Sequence, residues 1–131
     1  MIQQFIELGQ GYGDVFELCE LMQTNKARIH RTFVFTSQKE GKTYASFALA
    51  LQPAQESKFM PIYICREGIP YNEEKPTQRF EIFKQASEQV NQPIHYLEVK
   101  HSSSFTEPTL FYQYLIGILR LNHYIPAMHA L

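Results

Sequence analysis

Thr43-Tyr44-Ala45-Ser46-Phe47-Ala48-Leu49-Ala50-Leu51-Gln52 is the stretch on which the fold turns. Ala45, Phe47, Leu49 and Leu51 alternate with Ser46, Ala48 and Ala50, a period of two that belongs to a β-strand. Large side chains occupy one face and small ones the other, and neither face carries charge. Such a strand is covered on both sides, with a helix packed closely on the small face. Thr32 to Ser37 is β-branched and aromatic, and Gly41 lies between the two segments, so together they read as a hairpin. Pro53 stops its second strand.

Outward from the hairpin, Pro61-Ile62-Tyr63-Ile64-Cys65 is a further strand ending at Arg66-Glu67-Gly68, and Ile69 to Pro76 reads as an exposed loop. Towards the N-terminus, Gln3 to Leu8 is a short strand, followed by the turn Gly9-Gln10-Gly11-Tyr12-Gly13. Asp14, with Glu17 three residues on, starts a helix whose apolar face is Val15, Leu18, Cys19 and Met22. Phe80, Phe83, Ala86 and Val90 define a second helix, closed by Asn91 and Pro93. Ile94 to Lys100 is the last strand, with His95, Leu97, Val99 and His101 facing the core. From Leu110 to Ile125 runs a helix so apolar, with a narrow polar stripe at Gln113, Gly117 and Arg120, that it must be shielded from water nearly all round. The expectation is a single α/β domain over residues 1–131: a mixed sheet of about five strands with three helices, in the order β-α-β-β-β-α-β-α.

Composition narrows the function. Hydrophobic residues make up 44% of the 131 and charged residues 19%, as in an ordered globular chain. The net charge is −1 and the basic residues are scattered singly, so no Lys/Arg stripe exists to neutralise a run of phosphates, which argues against nucleic acid as a partner. The start of the sequence lacks the features of an export signal, so a cytoplasmic location is expected, with Cys19 and Cys65 reduced. Arg120 interrupts the last helix well short of a membrane span. The five histidines and two cysteines show no metal-ligand spacing, and neither a dinucleotide nor a Walker motif is present, so no metal or cofactor is expected.

Chemistry in an open α/β sheet belongs at the carboxyl ends of its strands. If the first, fourth and fifth strands run parallel, that edge gathers Gly9, Gly11, Tyr12, Asp14, Arg66, Glu67, His101 and Ser102, a set suited to a small anionic ligand. His101 beside Ser103 is the minimum for general-base activation of a hydroxyl, although Ser102-Ser103-Ser104 is no nucleophile elbow and no acid partner is evident. Each group also has a plainer role: the glycines as turn residues, Asp14 as a helix cap, Arg66 and Glu67 as solvated strand ends, the serines as a loop.

The order helix, three strands, helix, strand resembles the core of the restriction-endonuclease-like nucleases. That family holds magnesium with an aspartate on its second core strand and E-x-K on its third. Here the matching strands end in Leu51-Gln52-Pro53-Ala54 and Cys65-Arg66-Glu67, while Glu98-Val99-Lys100 lies on another strand, so the resemblance implies at most a degenerate nuclease-like domain. Phe5-Ile6-Glu7-Leu8-Gly9-x-Gly11-Tyr12, Tyr63 to Pro70 and Gln113 to His123 resemble a family of small uncharacterised proteins of Bacillus-type bacteria over essentially the whole chain. That resemblance implies a cytosolic bacterial protein of this length and brings no activity, cofactor or catalytic residue. The expectation for function is a non-catalytic binding or regulatory domain that self-associates through the helix at 107–125. The alternative is an enzyme or sensor for an anionic small molecule.

Overall fold

A computed structural model of the chain describes residues 2–9, 13–54, 58–72 and 74–126. The elements are β1 (Ile2–Glu7), α1 (Gly13–Thr24), β2 (Ile29–Lys39), β3 (Lys42–Leu51), β4 (Phe59–Pro70), α2 (Gln78–Gln89), β5 (Ile94–Glu98) and α3 (Pro108–Leu121). Single 3-10 turns at Lys26–Arg28 and Ser102–Ser104 precede β2 and α3.

The hairpin forms around β3, whose residues Ala45 to Leu51 are all buried. β2 and β3 pair antiparallel down to Lys39↔Lys42. Glu40 and Gly41, at φ 53° and 77°, close the pair with a two-residue left-handed turn that matches the twist of the strands. The strand order is β1-β4-β3-β2-β5. β1 lies parallel to β4 and β2 parallel to β5, while β3 is antiparallel to both its neighbours. Four strands therefore run one way and β3 alone runs against them.

Two apolar layers follow from the two faces of β3. Ala45, Phe47, Leu49 and Leu51 join Val15, Leu18 and Met22 of α1 and Phe80, Phe83 and Ala86 of α2 in one core. Ala48 and Ala50, the small face, join Phe33, Phe35, Ile62 and Ile64 beneath Phe111, Leu115 and Leu119 of α3 in the other. Thr77 Oγ1 accepts from Phe80 N–H to cap α2, and Asn91, at φ 57°, ends that segment in the left-handed region.

Two expectations fail. β4 does not end at Cys65, and Ile69 and Pro70 do not belong to a loop: they pair with Ala45 and Tyr44. The strand survives its polar interruption by bulging, because Phe47 pairs with Cys65 while Ala45 pairs with Ile69, so β4 holds two extra residues there. Nor is α3 shielded all round within the chain. Phe111, Leu115 and Leu119 are buried, but the helix has a sheet on one side only, and Leu110 and Leu121 stand 42% and 80% exposed.

Candidate functional site

The parallel course of β1, β4, β2 and β5 brings their carboxyl ends to one edge, where the bulge in β4 re-aims two consecutive side chains. Along a regular strand Arg66 and Glu67 would face opposite ways. Here both reach partners around the α3 side. Arg66 Nη1 lies 3.3 Å from Glu7 Oε1, and the same Glu7 oxygen accepts from the Tyr112 hydroxyl of α3. Glu67 accepts from Ser102 N–H at 2.7 Å and from the Ser37 hydroxyl at 3.2 Å, and its carboxylate lies 3.4 Å from His101 Nδ1. The Glu67 side chain is only 4% exposed, and these donors replace the water it has lost. Burial, reinforced by the Glu7 carboxylate, pushes the Tyr112 phenol well above its ordinary range, so it stays a donor.

His101 is held by its neighbours. Nδ1 accepts from Ser103 N–H at 3.1 Å, capping the 3-10 turn, and Ser103 Oγ lies 2.9 Å from the same nitrogen. Its ring meets Tyr44 edge-on at 5.6 Å. In a serine–histidine–acid relay the imidazole takes the hydroxyl proton on one nitrogen while the acid holds the other. Here the hydroxyl, the amide and the Glu67 carboxylate all converge on Nδ1, an arrangement suited to fixing the turn.

Arg66, Glu67, His101, Ser102 and Ser103 are therefore brought together. Asp14 is not. It sits in the first turn of α1, where Oδ1 accepts from Val15 N–H at 2.7 Å and pairs with Arg79, tying α1 to α2 on the opposite face of the sheet. Gly9 follows β1 in exposed chain, and Gly11 and Tyr12 lie outside the described residues. The sequence reading missed Glu7, Ser37, Tyr44 and Tyr112. Glu7 and Ser37 sit at or near strand ends, a weak signal that becomes meaningful only once β1 is known to neighbour β4.

Beside this cluster, an open groove of about 1190 Å³ runs along the carboxyl ends of β2 and β5, lined by Thr36, Ser37, Gln38, Tyr71, Tyr96 and Glu98 among others. Cys19 and Cys65 are free thiols, and burial pushes Cys19 up to about 11 and Cys65 higher still, so both stay protonated and unreactive. Among the described residues no group of three or more His, Cys, Asp or Glu side chains could hold a metal ion. No helix among them is long and apolar enough to cross a membrane.

No curated protein and no solved structure matches the chain. A family model does, over residues 1–125, and its description is Domain of unknown function (DUF7147). With all of the described sheet and all three helices inside that match, the chain belongs to this family.

Proposed function

We propose that this chain is a binding domain without chemistry of its own, which associates with a second copy of itself through the outer face of α3. The observation that supports this is the stripe Leu110, Gln113, Gly117 and Leu121, spaced along one side of the helix and free of charge. Arg120, the only charged residue of α3, turns away to donate from Nε to Gln3 Oε1 at 2.7 Å. Gly117 sits mid-stripe, and a Cβ built there would meet nothing within 4 Å, so another backbone can approach closely. In an antiparallel crossing about a twofold axis, Gly117 of one copy meets Gly117 of the other at the centre and Gln113 faces Leu121 on either side. A patch without charge is complementary to itself, and a chain of net charge −1 repels its copy little.

The polar cluster supports binding over catalysis, because its acids and donors are already engaged with one another. The two free thiols, Cys65 buried and Cys19 half-buried, support a reducing, cytoplasmic setting. Sedimentation of Leu121→Glu tests the association: the site is solvent-facing, so the variant folds, and it is expected to remain monomeric where the native chain dimerises. Gly117→Ala should raise the monomer's stability by about 0.5–1 kcal/mol yet weaken the dimer. Unchanged association in both variants would overturn the reading.

A second reading, a small anionic ligand at the carboxyl edge, has in its favour the gathering of Arg66, His101 and Ser102 there. Against it, Arg66 faces Glu7, and Ser102 N–H already serves Glu67. Thermal shift with inorganic phosphate decides: saturation at 100 times the dissociation constant should add about 2.7 kcal/mol, and Arg66→Ala should abolish the gain. The degenerate-nuclease alternative is supported by element order alone.

A further inference from the structure

At the opposite edge, where the parallel strands begin, two histidines and an arginine hold the turn that follows α3. Tyr124 C=O accepts from His30 Nε2 at 2.9 Å and from Arg31 Nε at 3.0 Å. The Arg31 guanidinium lies 5.6 Å from the centre of the Tyr124 ring, and its Nη1 is 3.3 Å from His95 Nε2. The rings of His95 and Tyr124 lie 4.8 Å apart, and both lie against Phe33, at 6.0 and 5.8 Å. Next along the chain, Ile125 is only 2% exposed.

These contacts fix protonation states. A carbonyl only accepts, so His30 carries its proton on Nε2, and its Nδ1 accepts from Gln52 Nε2 at 2.7 Å. A guanidinium only donates, so His95 Nε2 must hold a lone pair towards Arg31. The two histidines differ in what a second proton does. Rotating the Gln52 amide would offer oxygen to a protonated His30 Nδ1. Nothing on Arg31 can accept from a protonated His95 Nε2, and two cations would then face each other. The charged and titratable groups around Tyr124 are Arg28 from the 3-10 turn, His30 and Arg31 from β2, His95 from β5, Arg120 at the end of α3, and His123 and the Tyr124 hydroxyl in the turn itself. Arg28 Nη2 donates to Gln52 C=O at 2.9 Å. Among the described residues no carboxylate pairs with Arg28, His30, Arg31 or His95 to absorb the added charge.

We infer that this cluster is a pH-gated latch: protonation of His95 expels Arg31, releases Tyr124 and uncovers Phe33 and Ile125 beside the C-terminal end of α3. The inference is independent of self-association. Burial first, and then Arg31, hold His95 below its ordinary value of 6.5, and burial outweighs the Tyr124 carbonyl to lower His30 as well. A histidine lowered in the folded state takes up its proton more readily once released. The latch therefore contributes its full stability above about pH 6.5 and loses it as the pH falls below that value.

Amide exchange and histidine titration followed by NMR on the full chain test this. The His95 ring should titrate below 6.5. Protection of the Tyr124 amide, which donates to Leu119 C=O at 2.9 Å, should fall tenfold or more between pH 7.5 and 5.0 after allowance for intrinsic exchange. In His95→Gln, whose amide oxygen still accepts from Arg31, protection should fall clearly less over that range, the remainder belonging to His30. Arg31→Met should raise the His95 midpoint. A His95 midpoint at or above 6.5 in the native chain, the same pH response in His95→Gln, or a midpoint unmoved by Arg31→Met would each overturn the latch.

Discussion

Replacing Phe47 with alanine should destabilise the protein by about 3–5 kcal/mol, the largest effect expected of any single substitution considered. Phe47 lies at the middle of β3, is fully buried, and stacks on Phe83 with ring centres 4.8 Å apart and planes within 9°. Phe80 closes a third side at 6.0 Å. Truncation removes the transfer energy of the ring and leaves a void between the sheet and α2 that cannot collapse, because β3 is held by strands on both edges. A domain of this size holds only about 5–15 kcal/mol in all, so the variant should unfold at a much lower urea concentration with little change in slope. Phe16, 58% exposed on α1, supplies the control: Phe16→Ala should cost less than about 0.5 kcal/mol. A cost below about 1 kcal/mol for Phe47→Ala would contradict the two-layer core.

Glu67→Ala is the second large effect, expected at about 2–4 kcal/mol. Its carboxylate is the common acceptor for Ser102 N–H and the Ser37 hydroxyl and faces His101, so deletion strips several groups at once in a site closed to water. Glu67→Gln keeps one acceptor oxygen for Ser102 N–H, while Ser37 can turn to accept from the new amide, so its cost should be nearer 1 kcal/mol. Urea titration of both variants separates a hydrogen-bonding role from a merely spatial one. Equal losses would mean that the cluster is not held by its hydrogen bonds.

The hairpin was legible because β3 states both of its environments at once: Phe47 and Leu49 on one face, Ala48 and Ala50 on the other, with no charge on either. The end of β4 was not legible. Arg66-Glu67-Gly68 carries the marks of a strand terminus, and only the neighbouring β3 shows that pairing resumes at Ile69. That bulge also makes the site, by turning Arg66 and Glu67 towards shared surroundings, and a bulge depends on the partner strand more than on its own residues. His101 and Ser102 could be placed because the parallel-strand rule assigns loops to an edge before the order is known. Tyr112 and Glu7 could not, since their meeting depends on β1 lying beside β4 and on the path of α3 across that face. Asp14 went to the wrong face of the sheet for the same reason. The apolar character of α3 was read correctly, but it states only that the helix must be covered and does not say by what.

Sedimentation equilibrium of the native chain, taken from micromolar to near-millimolar concentration, tests the binding-domain account most directly. The account predicts an apparent mass rising from 15.3 kDa towards twice that value, with Leu121→Glu held at the lower figure throughout. A native chain that stays at 15.3 kDa across the whole range would contradict it.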